Sequence, residues 1–135
     1  MTIDELEGFG ARYATAWSSR DAASVTSFFA EDGSLKINGA VPAIGRGAIR
    51  ASVQGFMTTF PDLHVTMDQV YLEGNAAIFR WTLTGTNTGP GGTGRAVKIS
   101  GYEEWTIGRD GLVAMSLGHF DAADYERQLH GNNGS

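Results

Sequence analysis

Residues 95–119, RAVKISGYEEWTIGRDGLVAMSLGH, contain two runs rich in β-branched and aromatic residues, separated by Gly-Arg-Asp-Gly. Such runs are typical of strands, and the segment between them suits a short hairpin turn. Two similar runs precede them, separated by Glu-Gly-Asn. The second half of the chain therefore predicts four strands, adjacent ones antiparallel, near 64–73, 76–87, 95–107 and 112–119.

The first half shows helical spacing, with apolar residues at steps of three and four. Asp21 is a suitable N-cap for a short second helix, Pro61 closes a third, and a strand is expected near 34–38. Helices followed by consecutive strands predict an α+β domain in which a curved antiparallel sheet wraps around the helices. The predicted stripes are Ile3, Leu6, Phe9, Tyr13 and Trp17, then Val25, Phe28 and Phe29, then Ile49, Val53, Phe56 and Phe60.

The amino-acid composition excludes several classes of function. The 135 residues suit a single domain, predicted over 1–130, with 131–135 as a flexible tail. The absence of cysteine excludes thiol catalysis and thiolate metal sites, and the net charge of −5 argues against nucleic-acid binding. Neither a membrane-spanning run nor a signal peptide is apparent, so we expect no membrane partner and a cytoplasmic location. A small neutral or weakly polar molecule is the expected partner.

One carboxylate interrupts an otherwise apolar row. Alternation along VKISGYEEWTI, 97–107, places Glu103 on the same strand face as Ile99 and Trp105. Desolvation there would raise the pKa of Glu103 and make it a proton donor beside Tyr13. Two structural alternatives remain open, because Glu103 could instead pair with Arg80 on the neighbouring strand or reach water at an edge.

The whole chain resembles the nuclear-transport-factor-2-like superfamily, whose cone-shaped α+β fold packs N-terminal helices in a strongly curved antiparallel sheet around an internal pocket. Three segments resemble the SnoaL-like polyketide cyclases most closely: GRGAIRASVQGFMTTFPDLHV at 45–65, RWTLTGTNTG at 80–89 and HFDAADYERQL at 119–129. This superfamily includes cyclases, isomerases, epoxide hydrolases, dehydratases and non-catalytic binders, so the fold alone does not decide the function.

The resemblance also shows which catalytic acids are missing. SnoaL-like cyclases and limonene-epoxide hydrolases carry an Asp where this chain has Gly118, and the hydrolases' Arg-x-Asp pair becomes Arg80 and Thr82. The N-terminal half, RYATAWSSRDAASVTSFFAEDGSL at 12–35, resembles ketosteroid isomerases. That resemblance places Tyr13 and Glu103 at the oxyanion-binding pair and Ile37 at the general base.

Two positions have ambiguous orientation. Family geometry points Arg80 into the pocket, which would expose Phe79, Trp81 and Leu83 on the outer sheet face and favour a homodimer through that face. The alternative makes Arg80 a solvated surface residue. His119 is the one candidate base that could reach the pocket, but only if a one-residue bulge turns its side chain inward. Otherwise it lies at the rim of the pocket beside Asp121, which is predicted to be the N-cap of the last helix.

The sequence therefore predicts a SnoaL-like protein that binds a hydrophobic carbonyl compound and catalyses aldol cyclisation or enolate proton transfer without cofactor or metal. The alternative is a non-catalytic binding or assembly module, and an epoxide hydrolase or dehydratase ranks below both. The predicted catalytic residues are Tyr13, Glu103, Arg80 and His119, and the predicted substrate-binding residues are Trp17, Phe28, Phe56, Phe60 and Trp105.

Overall fold

The computed structural model describes residues 1–131, and the predicted tail therefore lies outside the described residues except for Gly131. Three helices precede the four long strands, as predicted. The helices are α1 (Ile3–Ser18), α2 (Ala22–Thr26), α3 (Arg46–Thr59) and α4 (Ala122–His130). The strands are β1 (Phe29–Ile37), β2 (Ala43–Ile44), β3 (His64–Glu73), β4 (Ala76–Thr86), β5 (Ala96–Ile107) and β6 (Val113–Phe120).

Side chains that accept hydrogen bonds from free backbone N–H groups fix the starts of three helices. Thr2 and Glu5 form a reciprocal capping box at α1. Asp21 caps α2 and Asp121 caps α4, which confirms both predicted N-caps.

The strands form one six-stranded sheet in the order β2-β1-β6-β5-β4-β3. The predicted antiparallel pairing of the four long strands is confirmed. The start of the first strand was predicted too late, because Phe29 lies in β1 rather than in the second helix and pairs with Val113 of β6. This β1–β6 pairing is parallel, and it depends on two segments far apart in sequence.

The helices cover one face of the curved sheet, and the core lies between them. Phe79 and Trp105, on the adjacent strands β4 and β5, stack with ring centroids 4.9 Å apart. The Tyr13 ring of α1 meets both edge-on, at 5.3 and 5.1 Å. This arrangement brings the phenol of α1 against the inner face of the sheet, and the predicted α+β fold is confirmed. Among residues 1–131, no helix is long and apolar enough to cross a bilayer.

Candidate functional site

A buried carboxyl group is the centre of the candidate site. Glu103 is 8% exposed, and it lies on the inner face of β5 as the alternation predicted. Its Oε1 accepts hydrogen bonds from Ser116 Oγ at 2.7 Å, from Trp105 Nε1 at 2.9 Å and from the Tyr13 hydroxyl at 3.1 Å. Its Oε2 lies 3.2 Å from the same hydroxyl. Neither structural alternative for Glu103 holds, since it neither reaches bulk water nor contacts Arg80.

Three elements bring these donors together. Tyr13 belongs to the buried stripe of α1, and Trp105 follows Glu103 by two residues, so both share one face of β5. Ser116 comes from β6, where it pairs with Trp105, while Gly118 pairs with Glu103. Sequence reasoning missed Ser116, because a register irregularity between Thr106 and Ile107 sets which β6 residue meets Trp105.

Burial dominates the electrostatics of the pair. Desolvation raises the pKa of Glu103 above its ordinary value, although hydrogen bonds from Trp105, Ser116 and Tyr13 oppose the change. Desolvation, with the neighbouring Glu103 carboxyl adding to it, raises the pKa of Tyr13 well above its ordinary value. Both shifts favour the protonated, neutral forms, and in its protonated form Glu103 can donate a proton or a hydrogen bond.

A small cavity of about 60 Å³, called the inner cavity below, opens beside Glu103. Within the described chain, Glu103 is the one acidic residue of its wall. Of the five predicted substrate-binding residues, Trp17 and Phe56 line it, whereas Phe28, Phe60 and Trp105 pack in the core. The other lining residues are Leu35, Ile37, Val65, Phe79, Trp81, Leu83, Ile99, Gly118 and Phe120.

The preferred prediction for Arg80 is wrong. Arg80 is exposed on the outer face of β4, with its guanidinium 5.2 Å from the centre of the Tyr102 ring. Phe79, Trp81 and Leu83 instead line the inner cavity, because burying three large apolar side chains outweighs placing one cation inside. The outer apolar patch on which the expected homodimer depended is therefore absent from β4, and dimerisation stays an untested prediction.

His119 does not reach the inner cavity either. Pairing between β5 and β6 is continuous from Gly101–Phe120 to Thr106–Met115, so no bulge turns His119 inward. Its Nε2 lies 2.7 Å from Glu104 Oε2, and its ring stacks on Tyr102 at 4.7 Å between centroids. His119 therefore belongs with Arg80 to a polar groove on the outer face of the sheet, and its proposed role as base is corrected.

The three positions at which the sequence resemblance implied a missing acid lie in two different environments. Gly118 and Ile37 both line the inner cavity. Thr82 faces outward, donating to Asp68 Oδ2 at 2.6 Å and lying 2.8 Å from Ser100 Oγ. Because Gly118 directly opposes Glu103 in the ladder, its missing side chain leaves part of the cavity beside the acid.

The described residues contain no group of three His, Asp or Glu side chains placed to hold a metal ion. Glu103 is the one ionisable side chain in the described lining of the inner cavity, where it can act as a hydrogen-bond donor or acceptor.

Comparisons with known proteins agree with this geometry. The profile of the SnoaL-like domain matches residues 11–115, and no curated protein matches the chain. Among similar solved structures, a putative SnoaL-like polyketide cyclase from Jannaschia sp. is 18% identical, with a TM-score of 0.82 over 96% of this chain and 93% of that chain. TsrD from Streptomyces laurentii is 23% identical, with a TM-score of 0.81 over 96% and 97%.

A protein with a ketosteroid isomerase-like fold from Catenulispora acidiphila, in complex with trimethylamine, is 15% identical. Its TM-score is 0.78, and the match covers 96% of this chain and 94% of that chain. At these identities the likeness to solved structures shows a shared fold, and the residues of the inner cavity must carry any argument about chemistry.

Proposed function

Because the chain belongs to the SnoaL-like domain family, as its sequence resemblance predicted, we propose that it binds a small hydrophobic carbonyl compound in the inner cavity. The observation that supports this proposal is a buried acid with a raised pKa in an otherwise apolar wall. A neutral carboxylic acid donates one hydrogen bond, and a carbonyl oxygen is the acceptor that a hydrophobic ligand can bring without carrying charge into the core.

The hydrogen-bond partners of the two carboxyl oxygens of Glu103 indicate which oxygen carries the donated proton. Ser116 and Trp105 both donate to Oε1. Oε2 has only the Tyr13 hydroxyl near it among the described residues, at 3.2 Å. We therefore propose that the acid proton lies on Oε2 and is donated to the ligand. Tyr13 does not line the inner cavity, so its part in this proposal is to position Glu103 rather than to touch the ligand.

The size of the inner cavity restricts how a ligand enters. Its volume of about 60 Å³ is less than half of the roughly 150 Å³ of an engineered cavity that holds benzene. A compound with an aromatic ring can therefore bind there only if side chains that line the cavity move. The wall residues Ile37, Phe56, Trp81 and Phe120 are only partly buried, and we propose that Phe56 and Phe120 move.

Enolate chemistry is the second candidate function. A hydrogen bond from Glu103 would stabilise the negative oxygen that develops when hydroxide or a buffer base from solvent takes a proton from the carbon beside a carbonyl. The similarity to a putative SnoaL-like polyketide cyclase favours this candidate. Binding ranks first, because Gly118 and Ile37 replace the family's ionisable groups and neither Arg80 nor His119 faces the inner cavity.

Matched ligands test the binding proposal. We expect acetophenone and 1-tetralone to raise the melting temperature, whereas ethylbenzene and tetralin, which lack the carbonyl oxygen, should bind more weakly. Ketone affinity should fall as the pH rises through the raised pKa of Glu103, because the ionised acid cannot donate. In Glu103→Gln this pH dependence should disappear, while Glu104→Gln, which removes one acid from the outer face, should retain it.

Turnover is measured in the same samples. Exchange of the protons beside the carbonyl of 1-tetralone with D2O, followed by NMR, reports enolate formation directly. Exchange faster than in buffer and slowed by Glu103→Gln would support the catalytic candidate, and binding without exchange would support the non-catalytic one. Equal affinity for ketones and hydrocarbons, or identical pH profiles in wild type and Glu103→Gln, would refute the binding proposal.

A further inference from the structure

Trp81 carries a buried indole N–H that the chain itself does not satisfy. Among the buried side-chain nitrogen and oxygen atoms of residues 1–131, Trp81 Nε1 alone lacks a hydrogen-bond partner. The indole of Trp105 behaves differently, since its Nε1 donates to Glu103 at 2.9 Å. Because buried donors in folded proteins are almost always paired, an unpaired one calls for an acceptor from outside the chain.

The position of Trp81 indicates where that acceptor would come from. Trp81 lines the inner cavity, and across the ladder it pairs with Gly101, while Phe79, two residues earlier, pairs with Glu103. Trp81 and Glu103 are thus diagonal neighbours on one sheet face, at a spacing of about 7–8 Å between backbone positions. A single ligand can meet both side chains.

Packing holds the indole in this position. A side chain on Gly101 would come within 2.7 Å of Trp81 Cζ2, so the absence of one is what lets the ring lie against β5. The Phe120 ring meets the indole edge-on, with centroids 6.1 Å apart. Although the Trp81 side chain as a whole is only partly buried, its Nε1 is shielded from solvent.

From these observations we infer that Trp81 is a ligand-binding residue, whose Nε1 donates a hydrogen bond to a second oxygen of the molecule in the inner cavity. The inference rests on the proposed binding function and narrows it. The ligand class becomes an apolar compound with two oxygen acceptors, one for Glu103 and one for Trp81, rather than a simple ketone.

A matched pair of probes tests this inference. 4-Chromanone differs from 1-tetralone by one ring oxygen in place of a CH2 group, so it offers a second acceptor on the same frame. We expect wild type to bind 4-chromanone about two- to tenfold more tightly, the factor typical of one neutral hydrogen bond. Trp81→Phe, which keeps an aromatic ring but lacks the N–H, should bind the two compounds with equal affinity, whatever change in 1-tetralone affinity the smaller ring causes.

Indole NMR signals provide a readout that does not require a variant to fold. The three indole N–H groups belong to Trp17, Trp81 and Trp105. In wild type, 4-chromanone should move the Trp81 signal downfield relative to 1-tetralone, since hydrogen bonding deshields the proton. An unmoved Trp81 signal, or equal preference in wild type and Trp81→Phe, would overturn the inference. If 1-tetralone still binds with the pH profile of Glu103, the binding proposal survives; if neither compound binds, both proposals fail.

Discussion

The raised pKa of Glu103 predicts an unusual pH dependence of stability, which Glu103→Gln isolates. The folded state holds the Glu103 proton more tightly than the unfolded chain, where the ordinary value of 4.5 applies. A group of this kind contributes full stability below pH 4.5, and the contribution is lost as the pH rises through the folded value. Glutamine has nearly the same shape and no proton to lose, so only the wild type carries this dependence.

The magnitude follows from one proton. Between pH 4.5 and the folded pKa of Glu103, the folded wild type binds up to one more proton than the unfolded chain. The free energy of unfolding of wild type minus that of Glu103→Gln should then fall with a limiting slope of about 1.4 kcal/mol per pH unit. Below pH 4.5 the difference should be constant and small, because the amide oxygen of Gln can still accept from Ser116 and Trp105.

Urea denaturation of both proteins at half-unit pH intervals from 3.5 to 8 measures this difference, and taking the difference cancels the other groups that titrate in both. Glu104→Gln is the matched control, because it removes one acid from the outer face and should keep the wild-type dependence on Glu103. A difference that stays flat, or that rises with pH because the hydrogen bonds from Tyr13, Trp105 and Ser116 outweigh desolvation, would refute the reasoning.

Three further predictions concern the same site. Tyr13→Phe should lower the free energy of unfolding by about 1–3 kcal/mol in urea, because Glu103 Oε2 loses its neighbouring hydroxyl; a change below 0.5 kcal/mol, on the order of a surface substitution, would contradict this. Gly118→Ala should cost less than about 1 kcal/mol, since its added Cβ meets nothing closer than 3.6 Å. Gly101→Ala should lower the free energy of unfolding by about 1–3 kcal/mol or more, since its Cβ would lie 2.3 Å from the His119 carbonyl oxygen. Equal losses for the two glycine variants would contradict this difference in packing. Arg80→Ala and His119→Ala should keep the affinity for 1-tetralone and the rate of any proton exchange within about twofold of wild type, under 0.5 kcal/mol, as measured by titration and NMR. A tenfold loss would indicate that these side chains act in the inner cavity.

Local patterns in the sequence predicted most of the fold. Alternation and turn residues predicted the four long strands, and helical spacing with acidic N-caps predicted the helices, because both depend on neighbours in sequence. The same reasoning placed Glu103 on an apolar face, whereas the resemblance to ketosteroid isomerases implied its pairing with Tyr13. These two residues are the part of the site that the sequence predicted, since each lies on a mainly apolar stripe opposite a polar one, and burial of apolar surface turns such a stripe inward.

The tertiary structure decided the rest. Which face of β4 points inward depends on what the helices offer to cover, and here they cover Phe79, Trp81 and Leu83 and leave Arg80 outside. The partners of Glu103 on β6 depend on the register irregularity near Thr106. Period-two alternation defines the two faces of a strand but not which face points inward. A bulge shifts the pairing of two strands and leaves no signal in the amino-acid composition. Only packing could therefore select Ser116 as a hydrogen-bond donor to Glu103 and Trp81 as a residue lining the inner cavity.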